Sequence, residues 1–331
     1  MNLFMESLRK SLAHRETLME KLHKEQSSCY RVFHGATEGV PGLTVDRYGS
    51  SVLFQTWREP LDVSALTSAT KMISEWCGAD LIPVWNDRKN RGKVEHQEDT
   101  KLPTKLLGTE LGVTYNVNPI HEGIDPLLFL DFRVGRRWVK ENAKGLRVLN
   151  LFSYTCGIGV SAMVGGAKSV LNVDFSKRAL NVGMDNAELN GVNSKRFRCL
   201  HEDFFPVILQ LSGKGVRGRA ARRNYKHMGA QRFDLVVLDP PRLSKSAFGK
   251  VDLVNDYSSL FKPALLCVED GGHCIATNNV SSVDESAWHA RLVRCAEKAE
   301  RPVKSIVSLR PEEDFPSPDD KPPLKIALVE F

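Results

Sequence analysis

Three stretches of the 331-residue chain combine residue types that can bind and orient a reactive ligand. Leu149-Asn-Leu-Phe-Ser-Tyr-Thr-Cys-Gly-Ile-Gly159 runs from an apolar segment into a glycine-containing turn, and Val173-Asp174 ends the next apolar segment. A turn of this kind brings a ligand close to the backbone at a helix N-terminus, while a carboxylate on the second strand can accept hydrogen bonds from both ribose hydroxyls of an adenosine. Gly157-x-Gly159-x-x-Ala162 also satisfies the dinucleotide fingerprint, so this signal does not by itself separate a nicotinamide enzyme from a methyltransferase. Asp203 follows a third strand, where it can read an adenine amino group or simply cap a helix. Asp239-Pro240-Pro241 closes a fourth. Prolines donate no backbone hydrogen bond and hold an extended, rigid turn, which presents the Asp carboxylate and the neighbouring carbonyls in a set geometry.

These residues need strands that end together. From residue 147 onward the pattern alternates: strands at Arg147–Phe152, Ser169–Asp174, Arg196–Leu200, Phe233–Asp239 and His273–Thr277 are separated by helical stretches at 157–165, 176–190, 203–212, 252–269 and 283–300. Such alternation predicts right-handed βαβ units and a parallel sheet covered on both faces, with the fourth strand beside the first at the switch point where ligands bind. The end differs, because Pro302–Leu309 and Leu324–Phe331 are two strands with no helix between them, so the last should run antiparallel. Ahead of this domain, leucines at helical spacing predict one amphipathic helical arm over 1–26. Tyr30–Phe33, Leu43–Val45 and Ser51–Gln55 read as short strands between glycine turns, followed by a helix over 63–77 and a strand over 81–85. Polar residues 86–105, with Arg88, Lys89, Arg91 and Lys93, read as a flexible loop, and 106–132 as a strand-rich junction. The expected division is an arm over 1–28, a small α+β domain over 29–105 suited to an RNA substrate, and an α/β domain over 106–331.

Composition narrows the function classes. Hydrophobic residues make up 42% and charged residues 26%, which fits neither a disordered chain nor a membrane bundle. No apolar run reaches the ~18 residues of a membrane span, and Glu6, Arg9 and Lys10 stand where a signal peptide would be apolar, so a soluble cytoplasmic protein is expected. The seven cysteines contain no Cys-x-x-Cys pair, so neither a disulfide framework nor a metal site is expected. Lys and Arg number 46 against 40 Asp and Glu, a net charge of +6 that is compatible with a polyanionic partner without establishing one. The segment 213–232 is more informative. It holds Lys214, Arg217, Arg219, Arg222, Arg223, Lys226 and Arg232 with Tyr225 and no acidic residue, which points to phosphate contact.

Taken with the closing antiparallel strand, Leu149–Asp174 and Asp239-Pro-Pro resemble a class I S-adenosylmethionine-dependent methyltransferase. Cys29-Tyr-Arg-Val-Phe33, Leu43-Thr-Val-Asp-Arg-Tyr48, Leu128-Phe-Leu-Asp-Phe-Arg133 with Arg136-Arg137, and Leu238-Asp-Pro-Pro241 are similar to the rRNA large-subunit methyltransferase family that modifies cytosine C5 or guanine N7. The similarity covers 29–331, leaves no room for an N-terminal PUA domain, and is nearest to the guanine-N7 half of the bifunctional bacterial enzyme. It implies a Rossmann-like seven-stranded α/β sheet with a smaller N-terminal α+β domain, an S-adenosylmethionine cofactor, and large-subunit rRNA as partner. It also implies site roles. Phe152, Tyr154, Gly157, Asp174, Phe175, Ser176, Asp203, Phe204 and Asp239 would hold the cofactor, and Asp239, Pro240 and Pro241 would place the base. Asn278, Asn279 and Arg133 would contact RNA, and the uncompensated charge of 213–232, an insertion relative to the family, assigns the same role to Arg217, Arg219, Arg222 and Arg223. Cytosine-C5 members carry a cysteine just after the fifth strand, because C5 chemistry needs a thiolate to attack the ring. This chain reads Gly272-His-Cys-Ile-Ala-Thr-Asn-Asn279, with asparagine at the aligned position and Cys274 five residues earlier, inside the strand. Two departures concern the cofactor turn and the pocket edge: Cys156 replaces the usual glycine, and Ile124-Asp-Pro126 replaces Lys-Thr-Gly.

Overall fold

A computed structural model describes residues 3–89, the backbone of 93–95, and residues 105–120, 126–317, 319 and 321–331. It divides into two compact units, Met1–Arg133 with Pro311–Asp320, and Val134–Arg310 with Lys321–Phe331. The expected boundary at 105/106 does not coincide with this division, because 106–120 and 126–133 belong to the first unit and the segment after residue 310 returns to it. Among the described residues no helix is long and apolar enough to cross a membrane.

In the first unit, α1 (Leu3–His14) and α2 (Glu16–Lys24) replace the single helix expected over 1–26. The break falls at Arg15, whose buried guanidinium turns inward onto the Glu38 carboxylate and the Ser11 hydroxyl. Phe4, Leu8, Leu12, Leu18 and Leu22 are buried in the core of this unit rather than on a separate arm. The sheet comprises β1 (Cys29–His34), β2 (Leu43–Tyr48), β3 (Ser51–Thr56), β4 (Ile82–Asp87) and β5 (Lys93–Glu95), in that order, with α3 (Val63–Cys77) connecting β3 to the parallel β4. The loop expected over 86–105 thus contains the end of β4 and all of β5, while 90–92 and 96–104 lie outside the described residues. β6 (Leu106–Glu110) and β7 (Val113–Val117) form a hairpin.

The motifs that carried the resemblance in this half serve the core. Arg31 makes a bidentate pair with Asp46, Arg133 pairs with both Glu312 and Asp314, and Asp314 accepts from the Arg31 backbone N–H. Burying charges is tolerable only where partners are this well placed. The loop 311–320 is held in the first unit by these pairs.

The second unit starts within α4 (Arg133–Asn142), a helix the sequence pattern did not reveal. It then builds β8 (Arg147–Leu151), α5 (Gly157–Val164), β9 (Ser169–Asp174), α6 (Lys177–Leu189), β10 (Phe197–His201), α7 (Phe204–Leu211) and β11 (Phe233–Leu238). After these come a small hairpin of β12 (Leu243–Lys245) and β13 (Lys250–Asp252), then α8 (Ser258–Leu265), β14 (Val268–Asn278), α9 (Glu285–Glu297), β15 (Ser305–Ser308) and β16 (Lys325–Glu330). The seven-stranded sheet has the order β10-β9-β8-β11-β14-β16-β15, with β16 antiparallel to both neighbours. This is the expected Rossmann-like α/β sheet. Leu235, Val236, Val237 and Leu238 on β11 are fully buried, as a central parallel strand covered on both faces requires. The helix expected over 252–269 begins only at Ser258, because Asp252 ends the hairpin and its carboxylate accepts from Val254 and Asn255 N–H to hold a turn ahead of the helix.

Candidate active site

Strand register aligns the proposed ligand residues. His201 pairs with Asp174 and Leu151 with Val173, while Leu238 lies between Leu151 and Ala276. One row along the carboxyl edge therefore runs from His201 through Asp174, Phe152 and Asp239 to Thr277. Asp174 and Asp239 stand two strands apart, about 10 Å at the usual strand spacing.

The turn between β8 and α5 is shaped by strain. Phe152, Tyr154 and Cys156 all have positive φ, at 56°, 48° and 59°. Each such residue other than glycine costs roughly 1–2 kcal/mol, so surrounding contacts must hold the turn. Asp174 supplies one of them, its Oδ2 accepting from the Tyr154 backbone N–H at 2.8 Å while its Oδ1 accepts from the Ser176 N–H at 2.7 Å. The Val173 carbonyl accepts from the Ser153 N–H at 2.9 Å, and Asn186 donates to the Thr155 carbonyl at 3.1 Å. Cys156 takes the left-handed position where glycine is usual, and α6 makes room for its side chain at Gly183, where a Cβ would come within 2.4 Å of the sulfur. Gly159 is needed for a related reason, since a Cβ there would lie 2.1 Å from the Asn172 side-chain oxygen on β9.

Asp174 is buried, and desolvation raises its pKa, against the opposing effect of the backbone N–H groups of Ser176 and Tyr154. Its carboxylate keeps lone pairs beyond those two bonds, a chemical match to a pair of hydroxyl donors. Phe175 beside it exposes 61% of its surface, an apolar face at the sheet edge. Ser176 caps α6 by accepting from Ala179 N–H. Asp203 caps α7, accepting from Phe205 N–H at 2.8 Å, so the capping role raised by the sequence is filled. Phe204 is buried and stacks on Phe152 with ring centroids 4.7 Å apart, fastening the turn to α7 as core. At the other end of the row, Asp239 accepts a short hydrogen bond from Thr277 Oγ1, and Pro240 is buried beside it while Pro241 is partly exposed.

Residues 109–329 match the model of a family described as S-adenosylmethionine-dependent methyltransferase. The chain belongs to that family. The nicotinamide alternative left open by the glycine pattern is thereby removed. Ribosomal RNA large subunit methyltransferase I of Shigella flexneri is 27% identical over 297 residues, which span 88% of this chain and 71% of that protein. Ribosomal RNA large subunit methyltransferase K/L of Pseudoalteromonas translucida is 29% identical over 277 residues, 80% of this chain but 36% of that longer protein. Among solved structures, SMU.776 complexed with SAH aligns with a TM-score of 0.78 at 22% identity, over 100% of this chain and 82% of that one. A SAM-dependent methyltransferase from Agrobacterium tumefaciens aligns with a TM-score of 0.61 at 18% identity, over 88% of this chain and 87% of its own. At these identities the structures speak to the fold.

Several expected contacts of this methyltransferase differ from the sequence reading. Arg133 is 1% exposed, and its guanidinium is committed to Glu312 and Asp314, so it is a core ion-pair residue with no face for RNA. Asn278 is fully buried, its oxygen accepting from Val280 N–H at 3.0 Å and its amide donating to the Leu253 carbonyl. Both polar atoms serve the local backbone, which removes Asn278 from base recognition, whereas Asn279 is exposed. Arg217, Arg219, Arg222 and Arg223 are all exposed. Of the departures from the family pattern, Ile124 and Asp125 lie outside the described residues. The β12–β13 hairpin went unread in the sequence. Its only local signal was the Ser-Ala-Phe-Gly turn at 246–249.

Proposed function

We propose that this methyltransferase modifies a base in RNA, and that the base is a guanine of large-subunit rRNA methylated at N7. The names of the relatives support rRNA as substrate. The single observation that favours guanine N7 is the character of the sheet edge from Asp239 to Asn279, which carries carboxylate, hydroxyl and amide groups but no thiol among the described residues. Cys274, the nearest thiol in sequence, is fully buried within β14, and desolvation pushes its pKa up, away from the thiolate that C5 chemistry requires.

S-adenosylmethionine supplies an electrophilic methyl group on a sulfonium centre. Asp174 would hold its ribose, with the Phe175 ring alongside the adenine, Asp203 and Ser176 fixing the helices that frame that end, and the Phe152–Gly157 turn toward the methionine portion. Asp239, oriented by Thr277, and the rigid Pro240-Pro241 turn would place the base. Guanine N7 has an in-plane lone pair and loses no proton on methylation, so positioning is the whole task of the protein. The base must be unpaired or flipped out to reach the site.

The test is transfer of labelled methyl to rRNA in vitro, followed by nucleoside mass spectrometry. The expected product is 7-methylguanosine. Recovery of 5-methylcytidine, with covalent trapping of the enzyme by 5-fluorocytosine RNA, would overturn the guanine reading, and an N-methylated exocyclic amine would move the chemistry to the Asp239 carboxylate.

A further inference from the structure

The segment between α7 and β11 does not cross the bottom of the sheet directly. At the end of α7 the left-handed glycines 213, 215 and 218 turn the chain outward. On its return, Gln231 N–H donates to the Leu211 carbonyl, Gln210 bonds both Met228 N–H and the Lys226 carbonyl, and Glu202 Oε2 accepts from Lys226 N–H at 2.8 Å. The other Glu202 oxygen accepts from Asp203 N–H at 2.9 Å. The returning residues 226–231 therefore run along α7 from the carboxyl edge, where Lys226 is tied through one carboxylate to the backbone of Asp203 and the arginines of 217–223 lead directly into it.

There it meets a second element. The half-buried Tyr225 ring lies 4.9 Å from His227 and packs edge-on against Phe248, 6.1 Å away in the β12–β13 hairpin. That hairpin continues directly from Asp239-Pro240-Pro241, and Gly249 in its turn sits flat on Phe205 at the start of α7, where a Cβ would come within 2.5 Å of the ring. Arg242 and Lys245 are exposed on it, while Lys250 pairs with Asp252 at 2.8 Å. Arg232 pairs with Asp270 at the base of the insertion, whereas Lys214, Arg217, Arg219, Arg222, Arg223 and Lys226 form no ion pair among the described residues.

We propose that the apex of the 213–232 insertion and the β12–β13 hairpin form one RNA-binding shelf beside the active site, gripping the backbone of the single strand that flanks the target base, with Tyr225 stacking on a neighbouring unpaired base. The inference rests on the RNA reading given above. Cations with no counter-charge suit phosphates, and an aromatic ring among them suits unpaired bases, the combination by which single strands are held without sequence selection. The position at the sheet edge makes this a substrate track, because the hairpin that carries half of the shelf follows directly on the Asp-Pro-Pro turn.

The experiment uses the full chain, a fluorescently labelled unpaired rRNA fragment and anisotropy titrations over a range of salt concentrations, with S-adenosylmethionine affinity measured in parallel. Combined substitution of Arg217, Arg219, Arg222 and Arg223 by alanine should reduce the log–log salt slope by about 2.8 at ~0.7 per single-strand contact, and weaken binding more than tenfold at low salt. Cofactor affinity should stay within twofold. Tyr225→Ala should weaken RNA binding about tenfold with an unchanged salt slope, and Tyr225→Phe should restore it, since stacking needs the ring and not the hydroxyl. If the wild type methylates RNA while the Arg variant keeps its slope and its KM for RNA, the shelf is wrong and the RNA reading stands. If the wild type neither binds nor methylates RNA, both fall together.

Discussion

Replacing Asp174 by asparagine tests the cofactor site and the turn that forms it at once. In the wild type each carboxylate oxygen accepts one backbone N–H, from Tyr154 and from Ser176. An asparagine keeps one acceptor and turns an NH2 group toward the other donor, leaving one partly buried N–H without this partner at a cost of about 1–3 kcal/mol. The N–H most exposed to loss is that of Tyr154, which belongs to the turn with three left-handed side-chain-bearing residues. Unfolding in urea should therefore show a stability loss of about 1–3 kcal/mol. Asp174→Ala would orphan both donors and lose roughly twice that, so asparagine is the better probe. The effect on binding is separate. A charge-assisted hydrogen bond from a ribose hydroxyl contributes about 1.5–3 kcal/mol, so calorimetric titration of the folded variant should show S-adenosylmethionine affinity lower by about 10- to 150-fold. A folded Asp174→Asn protein with wild-type affinity would refute the assignment, and one with wild-type stability would refute the account of the turn.

Other outcomes follow from the same structure. Because burial raises the Asp174 pKa in the free protein, the folded state binds its proton more readily than the unfolded state, so this group's contribution favours the fold at acid pH and is lost as pH rises through the folded value. Hydroxyl donors favour the ionised form, so S-adenosylmethionine affinity should increase with pH across that same acidic window and level off above it; pH-independent calorimetric affinities there would count against the carboxylate as ligand. Arg133→Met should destabilise the protein by about 3–5 kcal/mol by leaving the buried Asp314 carboxylate without its guanidinium, while the partly exposed Glu312 keeps Lys21, and an unchanged urea midpoint would show that the pairs contribute nothing. Cys274→Ser should retain methyl transfer because that thiol sits inside β14; loss of activity in a folded, cofactor-binding variant would return the chemistry to a thiolate.

The elements of the second unit were legible because their signals are local. The alternation of apolar strands and helical stretches defines parallel βαβ units wherever the chain is read, and the two carboxylates were recognisable because Asp174 ends a strand and Asp239 directly follows one. The glycine pattern announced a tight turn, yet only the fold shows why glycine is needed at 159, where Asn172 on the next strand leaves no room for a Cβ. Sequence alone also determined the positive charge of 213–232, since charge is a property of composition. Its path was not determined, because the bonds that carry its return along α7 from Glu202 join residues whose pairing no local pattern records.

The same limit explains the differences. Arg133 and Asn278 have the side chains of RNA-contacting residues, and their types and neighbours do not reveal what covers them. Arg133 meets Asp314, 181 positions away, and Asn278 is enclosed by the backbone of Leu253 and Val280. Three-residue strands such as those of the β12–β13 hairpin are too short for a period of two to register, so that element and its aromatic contact with Tyr225 emerge only from packing. Sequence by itself determined the class of sheet and the carboxylates at its edge, because backbone periodicity and strand ends are written locally. Tertiary structure alone decided which polar side chains stay at the sheet edge or surface and which are consumed in the core, because burial and partnership depend on chain segments that meet only on folding.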